Sequence, residues 1–257
     1  MDNPQHILTV DQGNTSAKLA LWAPVENVGV PASARRRQCC AKLCIRGLTA
    51  DDIQRVCREY NVSAAIWCSV SEREPLLLDA LRQSCGNIIE LTVDTPTPLA
   101  IDYTTPQTLG VDRLAAAVGA YTLPGARGRD ILVSDLGTAI TYDHVTASGR
   151  YVGGNIAPGI WMRLCALNHY TARLPQVETD GDTPLWGHDT ASALRGGAIN
   201  GVVAELEYYH SNLGDDAVVV LTGGAVKLVE GRLSFRPMIV PDLVSEGLEA
   251  IMAYNGL

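Results

Sequence analysis

Two short stretches of the chain place an aspartate, a glycine and small polar side chains at the end of an apolar run: Asp11-Gln12-Gly13-Asn14-Thr15 after Ile7-Leu8-Thr9-Val10, and Asp135-Leu136-Gly137-Thr138 after Ile131-Leu132-Val133-Ser134. A strand that ends in Asp and turns sharply through Gly brings a carboxylate and several free backbone N–H groups to the tip of a hairpin. That arrangement suits the phosphates of a nucleotide and their metal ion. Asn14 and Thr15 add side-chain donors, Lys18 can neutralise phosphate charge, and Gly13 permits a backbone conformation that a β-carbon would hinder. One such turn is weak evidence, since hairpins use Asp and Gly everywhere. Its repetition carries more weight: the two aspartates lie 124 positions apart in a chain of 257, close to half its length, as in a duplicated domain.

Further glycine turns occur at Gly153-Gly154-Asn155-Ile156-Ala157-Pro158-Gly159, just before a helical pattern, and at Leu221-Thr222-Gly223-Gly224, after an apolar strand. Each permits close approach of backbone to an anion and reads equally well as tight packing at a strand end. Gly110-Val111-Asp112-Arg113 opens an alanine-rich helix, so Asp112 falls in its first turn, where the N–H groups attract negative charge. A carboxylate there can orient a hydroxyl and take its proton; it can also be a simple helix-start residue beside Arg113 in a surface ion pair. Rival signatures are missing: no GxxxxGK[ST] loop, GxGxxG fingerprint, GxSxG elbow or HExxH motif. The five histidines show no metal-ligand spacing and read as surface or ordinary packed side chains.

A composition of 47% hydrophobic and 19% charged residues is that of a globular chain, and a net charge of -8 gives no basic face. Nucleic acid and anionic membranes are therefore not expected as partners. The run Arg35-Arg36-Arg37 is read as a solvated loop or strand entry. Seven cysteines, odd in number and without a CxxC pair, argue against a disulfide framework or a zinc site; Cys68, in an apolar run, reads as a small buried hydrophobe. With neither a secretory pattern at the start nor an apolar stretch of membrane-spanning length, a cytoplasmic location is expected.

The elements that must position these residues follow from periodicity. Strands are expected near 7–12, 17–23 and 39–45, a helix near 49–60 opened by Thr49-Ala50-Asp51-Asp52, a strand near 63–69, a helix near 73–85 closed by Gly86, and a strand near 87–92. Residues 94–106, rich in Pro and Thr, read as irregular, and a helix follows Gly110 to Pro124-Gly125. The second half offers strands near 130–135, 139–146, 150–156, 216–222 and 234–240, with helices near 159–169, 189–212 and 242–254, and a short one after Gly224. The expectation is two similar α/β lobes, 1–108 and 109–257, with a cleft between them.

Taken in order, these five blocks and the neighbouring Tyr103 and Thr190 resemble type III pantothenate kinases, members of the acetate and sugar kinase/Hsc70/actin superfamily. The resemblance implies duplicated ribonuclease H-like (actin-like ATPase) domains, each a mixed five-stranded sheet flanked by helices. It further implies ATP-dependent phosphorylation of pantothenate to 4'-phosphopantothenate, the entry step of coenzyme A synthesis, by a homodimer needing Mg2+ and a monovalent cation, K+ or NH4+. Carried over by position, Asp11, Gln12, Gly13, Asn14, Thr15, Ser16, Ala17, Lys18 and Thr138 would hold ATP, and Asp135 the monovalent cation. Tyr103, Gly110, Val111, Asp112, Arg113 and Thr190 would contact pantothenate, Asp112 also serving as general base. Gln12 stands where many relatives have an apolar residue. The alternatives are another kinase or phosphohydrolase of the superfamily, and a catalytically silent regulatory relative.

Overall fold

The computed structural model describes residues 5–13, 16–25, 37–70 and 75–257, and the chain divides into two compact units, residues 1–122 with 243–257, and residues 123–242. Asn14, Thr15, Arg35 and Arg36 lie outside the described residues.

In the first unit β1 (His6–Gln12), β2 (Ala17–Pro24) and β3 (Arg37–Ile45) form an antiparallel meander. Helix α1 (Ala50–Glu59) leads to β4 (Val62–Ser69), and α2 (Pro75–Ser84) to β5 (Asn87–Glu90); both strands add in parallel, giving the order β3-β2-β1-β4-β5. The start of α1 is the expected capping box: Thr49 Oγ1 accepts the Asp52 N–H and Asp52 Oδ2 accepts the Thr49 N–H, both at 3.2 Å. Ile53, Val56 and Cys57 recur at helical spacing and put one face of α1 into a core with Leu8, Val10 and Leu81.

The irregular stretch contains only a two-residue strand, β6 (Ala100–Ile101), and a 3-10 turn at Pro106–Thr108 before α3 (Val111–Thr122). The division into units differs from the expected boundary at 108/109, because α3 groups with the first unit and is joined there by α7 (Leu243–Tyr254), which follows the second unit in sequence. Small residues cause this. A β-carbon on Gly119 would come 2.5 Å from the Leu243 carbonyl oxygen, and one on Gly247 would run into the Ala115 carbonyl, so the two backbones meet with almost nothing between them. The alanine-rich character of α3 therefore serves close helix packing as well as helix propensity.

The second unit repeats the plan: β7 (Ile131–Leu136), β8 (Ala139–Val145) and β9 (Arg150–Pro158) are antiparallel. Helices α4 (Ile160–His169) and α5 (Thr190–Leu213) then lead to β10 (Val218–Thr222), parallel to β7, and α6 (Val226–Val229) to β11 (Met238–Ile239), parallel to β10. Its own five strands run β11-β10-β7-β8-β9, the order of the first sheet with β7 in the place of β1. The strand expected over 234–240 shrinks to two residues because Pro237 and Pro241, which cannot donate to a ladder, flank it. Each unit is thus a mixed sheet flanked by helices, of the duplicated ribonuclease H-like, actin-like class. Among the described residues no helix is long and apolar enough to cross a membrane.

Candidate active site

Within the first unit the next-to-last residue of the central strand β1 is Asp11, half-buried and opposite Lys18 on β2, whose side chain is exposed. The turn closes through the Gly13 N–H, which donates to the Ser16 carbonyl at 3.1 Å. Gln12 is buried and its carbonyl accepts the Val70 N–H, while Ala17 returns to the core. Gln12, Gly13, Ser16 and Ala17 thus form the described flanks of the turn, and Lys18 sets a charged side chain next to it.

On the other side of β1, Asp11 lies level with Cys68 of the parallel strand β4. The Cys68 thiol is fully buried, and burial pushes it well above the usual thiol range, with the Asp11 and Asp112 carboxylates adding to the push. Two carboxylates about a hundred positions apart in sequence therefore act electrostatically on one thiol. Asp112 reaches that position from the first turn of α3, its Oδ1 accepting the Arg113 N–H at 2.8 Å. A β-carbon on Gly110 would come 2.5 Å from the same oxygen, so glycine makes the room into which the carboxylate folds back. Val111 is half-buried, and Arg113 is 6% exposed, which removes the surface ion pair as a reading of its role. Tyr103 sits half-buried just upstream, between β6 and the 3-10 turn.

In the second unit Asp135 occupies the end of β7 that Asp11 occupies in β1, between Thr141 of β8 and Thr222 of β10. The strand after it turns at Gly223, whose φ of +95° favours glycine and whose missing β-carbon would strike Asp135 Oδ1. Thr138 is exposed in the two-residue turn between β7 and β8. Gly159, the N-cap of α4, packs directly on that turn: a β-carbon there would overlap the carbonyl oxygens of Gly137 and Thr138. Thr190 opens α5, exposed, behind a capping box of Asp189 and Ser192.

Sequence patterns gave no sign of the network behind the Gly159 cap. Arg163 of α4 donates from Nε to the Pro158 carbonyl at 2.8 Å and from a terminal nitrogen to Glu205 Oε2 at 2.7 Å, and the Tyr142 hydroxyl donates to the same oxygen at 2.6 Å. Burial raises the Glu205 carboxyl, but the bonds from Arg163 and Tyr142 outweigh it and hold the group below its ordinary value. Burial and the bond to Glu205 push the Tyr142 phenol up. One polar group on each of α4, α5 and β8 thus fixes the helix start against the turn that carries Thr138. No local spacing announces a contact between residues 42 positions apart.

Beyond the Gly223-Gly224 turn, Lys227 and Leu228 of α6 line a cavity of about 440 Å³ with Thr179, Asp180, Thr183 and Arg232. Among the described residues no three His, Cys, Asp or Glu side chains gather to hold a metal ion. The histidines have ordinary structural partners, such as Asp130 for His144 at 2.8 Å and the Tyr60 carbonyl for His6 at 2.7 Å.

The type III pantothenate kinase family model matches residues 7–212. The chain is 38% identical over 253 residues to the type III pantothenate kinase of Phocaeicola vulgatus, covering 96% of this chain and 98% of that one. It is 37% identical over 254 residues to that of Bacteroides fragilis, with the same coverage. Among solved structures, a Baf-family transcriptional activator from Campylobacter jejuni is similar with a TM-score of 0.62 at 21% identity, over 96% of this chain and 98% of that one. The ethanolamine utilization protein EutJ of Carboxydothermus hydrogenoformans is similar with a TM-score of 0.50 at 10% identity, over 96% and 90%. These two likenesses concern the fold. The paired Asp turns and the Asp112 helix start, carried by a sequence that matches its relatives over nearly their whole length, make this chain a member of the type III pantothenate kinase family.

Proposed function

We propose that this kinase transfers the γ-phosphoryl group of ATP to the primary hydroxyl of pantothenate, giving 4'-phosphopantothenate for coenzyme A synthesis, with Asp112 as general base. The observation that carries this reading is that Asp11, level with Cys68 across the β1–β4 pairing, and Asp112, in the first turn of α3, both bear on the ionisation of that thiol. The turn assigned here to phosphate and the residue assigned here as base, set far apart in sequence, both belong to the first unit. In the reaction the hydroxyl oxygen bonds to the γ-phosphorus, the bond to the β–γ bridging oxygen breaks, and the hydroxyl proton passes to Asp112. Such transfer depends mainly on positioning and charge neutralisation. Residues 11–18 and Thr138 hold ATP through turn N–H groups, hydroxyls and Lys18. Tyr103, Gly110, Val111, Arg113 and Thr190 hold pantothenate, the buried guanidinium of Arg113 being suited to a carboxylate.

The donor chemistry fits cations. Asp11 and Asp135 each present hard oxygens beside a glycine turn, and Gly223 leaves space where a β-carbon would strike Asp135. Asp11 would serve Mg2+ and Asp135 the monovalent cation, K+ or NH4+, with phosphate and backbone oxygens completing sets that protein carboxylates alone do not fill. When bound, these ions supply charge neutralisation for the phosphates. The enzyme works in the cytoplasm as a homodimer; support for the latter is the apolar surface of Ile156 on β9 and of Trp161, Met162 and Tyr170 at and beyond α4, all exposed in the single chain.

The test is ATP turnover with and without pantothenate in potassium and in sodium buffer. Turnover that requires both pantothenate and potassium supports the proposal. Turnover independent of pantothenate, or none in any buffer, overturns it. Asp135→Ala should blunt the potassium response while leaving the thermal midpoint within a few degrees of the parent.

A further inference from the structure

The chain has seven cysteines, none in a disulfide, and two of them lie sulfur to sulfur. Cys57, in the last turn of α1, and Cys85, just past the end of α2, have their sulfurs 3.6 Å apart. Both are buried, at 4% and 8% exposure, within the core that α1 and α2 share over the first sheet. The backbone holds Cys85 in register, since its N–H donates to the Leu81 carbonyl at 2.9 Å and so extends the last turn of α2 by one residue.

We infer that Cys57 and Cys85 are a reversible oxidation site, closing to a disulfide that ties α1 to α2 when the protein meets a hydroperoxide. A disulfide needs the sulfurs at about 2.05 Å, so the gap to close is on the order of 1.5 Å. The two sulfurs share one hydrogen bond in which either can be the donor, so access separates them. Cys85 is the more exposed of the two and is the sulfur that an oxidant reaches first. Its sulfur attacks one peroxide oxygen, the O–O bond breaks, and the departing hydroxide takes a proton to leave as water, giving a sulfenic acid on Cys85. Cys57 then gives up its proton as its sulfur attacks that of Cys85; the S–O bond breaks and a second water leaves. Two thiols and one hydrogen peroxide become one disulfide and two waters.

The other cysteines set the contrast. Cys40 and Cys44 are exposed, on β3. Cys68 is buried beside two carboxylates, which oppose formation of its thiolate. Exposed thiols are expected to oxidise without resolving to a neighbour, and Cys68 to resist.

The experiment treats the full chain with hydrogen peroxide, alkylates the remaining thiols and maps peptides by mass spectrometry without reduction. The expected result is a Cys57–Cys85 linked peptide, two hydrogens lighter than the reduced pair, that disappears with dithiothreitol. The oxidised protein should also melt several degrees higher, because a crosslink spanning 28 positions restricts the unfolded chain. In Cys57→Ala, Cys85 has no resolving partner and should gain one or two oxygens instead. Two free thiols at peroxide levels that oxidise Cys40 and Cys44 would overturn the inference. So would sulfinic acid on Cys85 of the parent without any crosslink, or a Cys85 left untouched in Cys57→Ala.

Discussion

Asp112 takes its orientation from two backbone features beside it, the Arg113 N–H that its Oδ1 accepts and the absent side chain of Gly110. Asp112→Asn keeps the shape and removes the basic oxygen. Its kcat should fall by about 10²–10⁴, the usual contribution of a positioned acid or base, while ATP affinity measured by titration changes less than about threefold. Gly110→Ala tests the orientation separately. The added methyl displaces the carboxylate rather than deleting it, so kcat for pantothenate should drop by roughly tenfold with the thermal midpoint little changed. Equal kinetics in Gly110→Ala and parent would mean that the carboxylate works from another rotamer. At this scale the sequence was informative about residue types and silent about neighbours. Asp11, Asp112 and Asp135 could be picked out from turn and helix-start patterns, but Cys68 could be read only as a buried hydrophobe. Its place beside Asp11 depends on the parallel pairing of β1 with β4, a register that no local pattern encodes.

Helices α3 and α7 meet through glycine and alanine, which makes their contact sensitive to single carbons. Gly247→Ala should cost about 1–3 kcal/mol or more by overpacking, read as a fall in the urea midpoint at unchanged m-value. Glu249, on the same helix, is mostly buried, and its partner Arg37 lies at 3.2 Å. Burial raises its carboxyl, and Arg37 only partly opposes that. A raised acid favours the fold in its protonated form, so its contribution is complete below the ordinary glutamate range and is lost as pH climbs through the raised value. The stability of Glu249→Gln relative to the parent should therefore increase from about pH 4 to about pH 8; a flat difference would contradict the burial argument. Element boundaries were largely legible because period-two strands, capping residues and glycine stops are local signals. The grouping of α3 and α7 was not, since it rests on two glycines, 119 and 247, in segments that look unrelated until the helices cross. The same holds for Arg163 and Glu205, whose pairing spans α4 and α5.

The two units share a strand order, and in each the next-to-last residue of the central strand is an aspartate, so the duplication suggested by the spacing of Asp11 and Asp135 extends to topology. A net charge of -8 means that the general field does not attract anionic substrates, and the proposal assigns that task to local N–H groups, Lys18, Arg113 and cations. The exposed apolar surface of α4 leads to an expectation for assembly: sedimentation should give twice the 27.5 kDa chain mass, and Trp161→Asp should shift it toward the single chain. A parent protein sedimenting at one chain mass would remove the dimer from the proposal. The return of α7 to the first unit also sets a timetable for biosynthesis. Every residue of the second unit leaves the ribosome before α7 does, so the unit begun first is the one finished last. Until then the α3 surface around Gly119 waits uncovered on the nascent chain, and a ribosome stalled before α7 would leave a complete second unit joined to an unfinished first.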